Sequence, residues 1–147
     1  MTSILQPMTP VRARPGPHMV NWLSNTVSAG FPSPADDFGV EPIDLDQILM
    51  THSQATFFMR ASGDSMVEYG IKDEDILVVK RSRRYRHGHI VVVVFDGEFL
   101  VKKLHDRDGQ VRLLAGNPSK YPDIVPKDGE TLRFWGVVSA TITVFPA

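Results

Sequence analysis

The sequence predicts a mainly β protein, an antiparallel body with one short helix and a flexible N-terminal arm. Three observations carry that expectation. From residue 55 onward, runs rich in Val, Ile and Phe recur at strand length. Asp-Gly pairs such as Asp96-Gly97 and Asp108-Gly109 separate them, and such pairs readily take the positive φ angles of tight hairpin turns. Only one stretch carries a clear helix-start signature.

In chain order, residues 1–29 hold four prolines, two arginines and no acidic residue, with no sustained apolar period. Such a segment buries too little surface to fold alone and reads as a flexible arm. Within it, Met19-Val20-Asn21-Trp22-Leu23 is apolar enough to dock somewhere. Residues 30–40 follow as a hinge, because residues before the closely spaced Pro32 and Pro34 avoid helical angles. The body, residues 41–147, opens with Asp44 and Gln47 at capping-box spacing, which starts a short helix. Strands are expected over 55–60, 76–80, 90–95, 98–104, 110–114 and 131–145. Asp96-Gly97, between a valine run and Glu98-Phe99-Leu100-Val101, is the strongest hairpin signal.

Composition narrows the function. A chain of 147 residues suits one domain plus a tail. A net charge of -1 gives no general case for nucleic-acid or acidic-membrane binding. The absence of cysteine excludes disulfides, thiolate metal sites and a cysteine nucleophile. No segment reads as a secretory leader or approaches the ~18 apolar residues of a membrane span, so a soluble cytoplasmic protein without membrane attachment is expected.

Several side-chain groups could carry chemistry. The five histidines, including His87-Gly88-His89, lack the fixed-spacing partners of a zinc site, so no metal is expected. Lys80-Arg81-Ser82-Arg83-Arg84-Tyr85-Arg86 fits either a nucleic-acid contact or a solvated loop. Ser62-Gly63-Asp64-Ser65-Met66 offers two hydroxyls beside a glycine, readable as a turn or as a nucleophile. A serine nucleophile needs a base, and lysine serves only when desolvation lowers its pKa. Lys102 and Lys103 interrupt an apolar strand; alternation puts Lys102 with Leu100 and Leu104, and Lys103 with Phe99 and Val101. Both faces are apolar, so alternation does not choose between the two lysines.

The serine motif, the Val101-Lys102-Lys103-Leu104 strand and the upstream Ala29-Gly30 pair together resemble the LexA/UmuD group of self-cleaving Ser-Lys peptidases, the S24 type. The likeness runs on through Gly30-Phe31-Pro32-Ser33-Pro34, Gly116-Asn117-Pro118 and Phe134-Trp135-Gly136-Val137-Val138. It is UmuD-like in its short arm, where a LexA-like chain would carry a DNA-binding domain. The basic run and the arm before Ala29 are where the likeness is poorest. The resemblance implies a compact, strongly bent β body and the following roles. Ser65 would be the nucleophile and Lys102 the general base. Backbone N–H groups of Asp64 and Ser65 would form the oxyanion hole, and Ala29-Gly30 the bond cut. It further implies a homodimer, no cofactor, and stimulation by a RecA filament on single-stranded DNA in the SOS response to DNA damage. The shortened dimer would serve a UmuC-like Y-family translesion polymerase. The other reading is a dimeric regulator with a vestigial dyad that contacts DNA or a polymerase through the basic loop; direct DNA contact stays open.

Overall fold

A computed structural model describes residues 11–12, 17–23, 27, 30, 39–49, 55–82 and 84–146. In chain order the elements are β1 (Val11–Arg12), β2 (Met19–Leu23), β3 (Val40–Asp44), α1 (Leu45–Leu49), β4 (Thr56–Arg60), β5 (Ile76–Lys80), β6 (Ile90–Phe95), β7 (Glu98–Arg107), β8 (Gln110–Leu114) and β9 (Leu132–Ile142). A single 3-10 turn, Val67–Tyr69, lies between β4 and β5. The expected mainly antiparallel β fold with one short helix is borne out among these residues.

Seven strands form one sheet in the order β1-β4-β5-β9-β6-β7-β8, and each neighbouring pair in it is antiparallel. The long β9 is its spine. Because β5 and β6 both run against β9, they are parallel to each other, and the basic loop 81–89 must cross β9 to join them. Two register shifts occur on β9, opposite Val78/Val79 and opposite Val92/Val93. Each leaves an extra residue on β9, Ser139 and Trp135, and such bulges sharpen the local bend of a sheet. Gly136 sits within this bend, where a Cβ would come 2.8 Å from the Lys80 carbonyl oxygen.

Apolar residues on both faces explain why the strands read as unbroken hydrophobic runs instead of an alternation. Val92 joins one core with Met59, Met66, Leu77 and Val79. Its neighbours Val91 and Val93 join the other with Leu104 and Leu113. The Asp96-Gly97 hairpin forms as its sequence predicts, with φ of 48° and 82° and Phe95 opposite Glu98.

Three strands precede residue 55 where none is expected. β1 pairs with β4, and β2 pairs with β3 as a separate two-stranded sheet, Trp22 standing opposite Glu41. The apolar stretch 19–23 therefore does dock, on the first residues of the body. His18 anchors this pair to α1. Its N–H donates to Asp44 Oδ1 at 3.0 Å, its carbonyl accepts from Leu45, and its ring meets the Asp46 carboxylate at 2.9 Å. Asp44 also accepts the Asp46 N–H at 3.0 Å, the N-terminal cap that its position predicts.

Candidate active site

Ser65 lies in the loop that leaves β4. Hydrogen bonds between Ala61 and both Glu74 and Asp75 tie the loop's start to the residues before β5. Gly63 turns the chain at φ 92°, a left-handed angle that favours glycine, and donates its N–H to Asp73 Oδ1 at 2.7 Å. Past Ser65, the side chain of Met66 is 2% exposed in the first core and pins the loop to the body. Gly116 closes it from the far side: its N–H donates to the Ser65 carbonyl, and its own carbonyl accepts from Glu68. The two backbones approach so closely that a Cβ on Gly116 would lie 2.8 Å from the Tyr69 ring and 3.0 Å from Met66 Cα.

Lys102 comes from β7, opposite Val91. It is only 7% exposed, and its Nζ stands 3.0 Å from Ser65 Oγ. Burial lowers its pKa, since an ammonium loses hydration that the surroundings do not replace. The structure thus separates the two lysines that alternation leaves equivalent. Lys102 reaches the serine, whereas Lys103 leaves from the opposite face and lies over the Tyr69 ring at 4.8 Å. Ser62 is exposed and contributes to the rim of a pocket of about 110 Å³, whose lining includes Met59, Ala61, Ser65, Leu77 and Lys102. A hydroxyl beside a buried amine, at the floor of a cleft with apolar walls, is an arrangement suited to acyl transfer.

Asp64 is held by a set of partners that sequence reasoning misses. Tyr121 donates to its carboxylate at 2.7 Å, Lys120 at 3.1 Å, and Asn117 Nδ2 reaches its carbonyl at 3.4 Å. The Tyr121 and Lys120 hydrogen bonds hold the Asp64 carboxyl below its ordinary pKa. These partners lie more than fifty positions downstream, and only the glycine of Gly116-Asn117-Pro118 hints at a close approach. Among the described residues, the N–H groups of Asp64 and Ser65 donate to no protein acceptor.

The remaining predicted positions are apart from this cluster. Gly30 is exposed, a Cβ there would meet nothing within 4 Å, and it does not line the pocket. Ala29 lies outside the described residues. The basic loop crosses β9 elsewhere, with Arg81 over the Trp135 ring at 4.5 Å and Tyr85 against Phe134.

The sequence pattern of a family described as Peptidase S24-like matches residues 21–139. The chain is 44% identical over 114 residues to Protein SamA of Salmonella typhimurium, a span covering 78% of each chain. It is 36% identical over 129 residues to Protein MucA of Escherichia coli, covering 88% of each. Similarity extends to the LexA repressor of Syntrophotalea carbinolica, at 37% over 125 residues, covering 82% of this chain and 58% of that one.

Proposed function

The chain belongs to the peptidase S24-like family, and on that premise we propose that it is a serine peptidase that cuts its own Ala29-Gly30 bond with Ser65 as nucleophile and Lys102 as base. Membership bears out the likeness to the LexA/UmuD group read from the sequence. The observation that carries the proposal is the 3.0 Å contact between Ser65 Oγ and Lys102 Nζ at a buried site.

The steps follow from that pair. A charged Lys102 donates to Ser65 and is inert; a neutral Lys102 offers a lone pair to the hydroxyl proton. As Ser65 Oγ bonds to the Ala29 carbonyl carbon, its proton passes to Lys102 Nζ. The developing oxyanion is received by the N–H groups of Asp64 and Ser65, which have no protein acceptor of their own among the described residues. Collapse breaks the C–N bond, and Lys102 gives its proton to the leaving Gly30 amine. Water, deprotonated by the same lysine, then hydrolyses the ester and restores the Ser65 hydroxyl. Before reaction the arm must move, because Gly30 stands exposed and outside the pocket.

The biological reading rests on the LexA/UmuD likeness. The protein acts as a homodimer in the bacterial cytoplasm, cleavage is stimulated by a RecA filament on single-stranded DNA after DNA damage, and the shortened dimer is an accessory subunit of a UmuC-like Y-family translesion polymerase. The relation to a LexA repressor supports the SOS setting. A vestigial dyad is disfavoured by the Ser65–Lys102 contact itself.

Incubating the purified protein at rising pH tests the chemistry. The expected product begins at Gly30, forms faster as Lys102 loses its proton, and is absent from Ser65→Ala and Lys102→Ala. Efficient cutting by Ser65→Ala, or a new N-terminus elsewhere, would sink the proposal.

A further inference from the structure

The chain's charges are segregated. Residues 80–112 carry nine of its sixteen Lys and Arg residues but only four of its seventeen acids, so this span is strongly positive within a protein of net charge -1. Register then gathers part of this charge in space. Along β7, Lys103, His105 and Arg107 share a face by period two, and Arg112 of β8 stands directly opposite His105 on that face. The other face of the hairpin is core, with Leu104 opposite Leu113 and both buried. The face of β7 that begins apolar with Phe99 and Val101 therefore becomes basic as it runs out beyond the first core. Arg107 and Arg112 are exposed, and the only ion pairs among the described residues are His18–Asp46 and Lys120–Asp64, so Lys103, Arg107 and Arg112 have no carboxylate partner there.

We propose that the face of the β7–β8 hairpin carrying Lys103, His105, Arg107 and Arg112 binds the phosphate backbone of a single-stranded nucleic acid. Lys103 and Arg107 lie four residues apart, ~13.6 Å along β7, and Arg112 stands beside them on β8, an array suited to a linear polyanion. Holding like charges on one face without acids destabilises a hairpin, and a polyanion would relieve that repulsion. Aromatic surface accompanies the charge. The His87 ring packs edge-on against His105 at 5.0 Å, and His87 itself is exposed, leaving π surface on which an unpaired base can stack. His87 is fixed there because its Nδ1 accepts the Asp106 N–H at 3.1 Å. The hairpin tip carries Asp106 and Asp108, which would repel phosphates if the ribbon entered a duplex groove tip-first. A strand lying across the face avoids them. Arg107, Arg112 and His105 do not line the Ser65 pocket, and the proposal stands whether or not Ser65 cuts.

Fluorescence anisotropy of the full chain with a labelled oligothymidine measures it. Binding at 50 mM salt is expected to weaken with a log–log salt slope of about -2, as for three phosphate contacts on a single strand. The Arg107→Glu/Arg112→Glu double variant should bind at least tenfold more weakly with a slope near -0.7, while Lys127→Glu, on an exposed loop elsewhere, should bind like the parent. No binding at 50 mM salt would overturn the proposal. So would equal loss with Lys127→Glu, tighter binding of duplex than of single strand, or displacement by polyglutamate as effective as by unlabelled oligothymidine.

Discussion

Lys102 is placed where an ammonium is least at ease, buried and without a carboxylate among its described partners. Its folded pKa lies below the ordinary value of 10.5, so between the two values the unfolded chain binds more protons. Stability therefore rises with pH through that window, and at neutral pH the lysine weakens the fold. Lys102→Met is expected to be more stable than the parent at pH 7 by about 1 kcal/mol, a rise of some 2–4 °C in Tm, with the gain shrinking toward pH 10 and no self-cleavage. A variant less stable at pH 7 would show that burial is not what depresses this pKa. Tyr121 acts one step further out, through Asp64. Tyr121→Phe keeps the ring and removes the 2.7 Å hydrogen bond, so cleavage should slow by about tenfold at every pH while the midpoint of its alkaline rise stays put. A shifted midpoint would instead place Tyr121 in direct control of Lys102. Of these residues, Ser65 and Lys102 are legible in the sequence as a serine motif and a strand lysine. Alternation does not choose Lys102 over Lys103, because both faces of β7 are apolar near them; the family likeness points to Lys102, and the fold supplies the physical reason in its 3.0 Å approach to Ser65. Tyr121 is illegible, since nothing local marks a tyrosine that meets a carboxylate 57 positions away.

At the level of elements, the six strands after residue 55 are legible because each is a run of strand length containing Val, Ile or Phe, with Asp-Gly turns after β6 and β7. The Asp108-Gly109 turn, with φ of 57° and 72°, repeats the conformation of Asp96-Gly97 and extends β7 to Arg107, three residues past its apolar part. Polar pairing continues a strand that hydrophobicity alone would end. β1, β2 and β3 are not legible, because β1 has only two residues, β2 is exposed throughout and β3 is exposed over its first three residues; partner edges, not burial, make them strands. The contact of the 116–121 segment with the serine loop is the element-level feature most exposed to mutation. Gly116→Ala would drive a methyl group against Met66 Cα and the Tyr69 ring, and overpacking of this type costs ~1–3 kcal/mol. Urea unfolding should register that loss, and cleavage should fall further than stability does, because the displaced backbone carries Ser65. Parent-like cleavage in this variant would mean that the loop keeps its shape without Gly116.

Across the whole molecule, Asp75 joins the start of β5 to the end of β9. It is 1% exposed, and accepts the Lys72 N–H at 2.8 Å, Thr141 Oγ1 at 3.0 Å and Thr143 Oγ1 at 2.6 Å. Burial pushes its carboxyl up, but these hydrogen bonds outweigh it and leave the pKa below the ordinary 3.8. A depressed carboxylate stabilises the fold above its unfolded pKa and loses that contribution as pH falls through the folded one. Asp75→Ala should cost on the order of 3 kcal/mol at pH 7, and the gap to the parent should narrow below pH 3.8. An unchanged gap in acid would assign the loss to packing instead of charge. The pairing of β2 with β3 has a consequence of another kind. These strands flank residues 24–39, which include Ala29-Gly30, so an intact chain presents β2 to β3 at the millimolar effective concentration of a short tether. Cutting between them changes no rung of the pair, yet turns a unimolecular closure into an association of two molecules. The severed arm would then stay on its body in concentrated solution and leave on dilution, a difference that gel filtration of the cut protein at two concentrations reads directly.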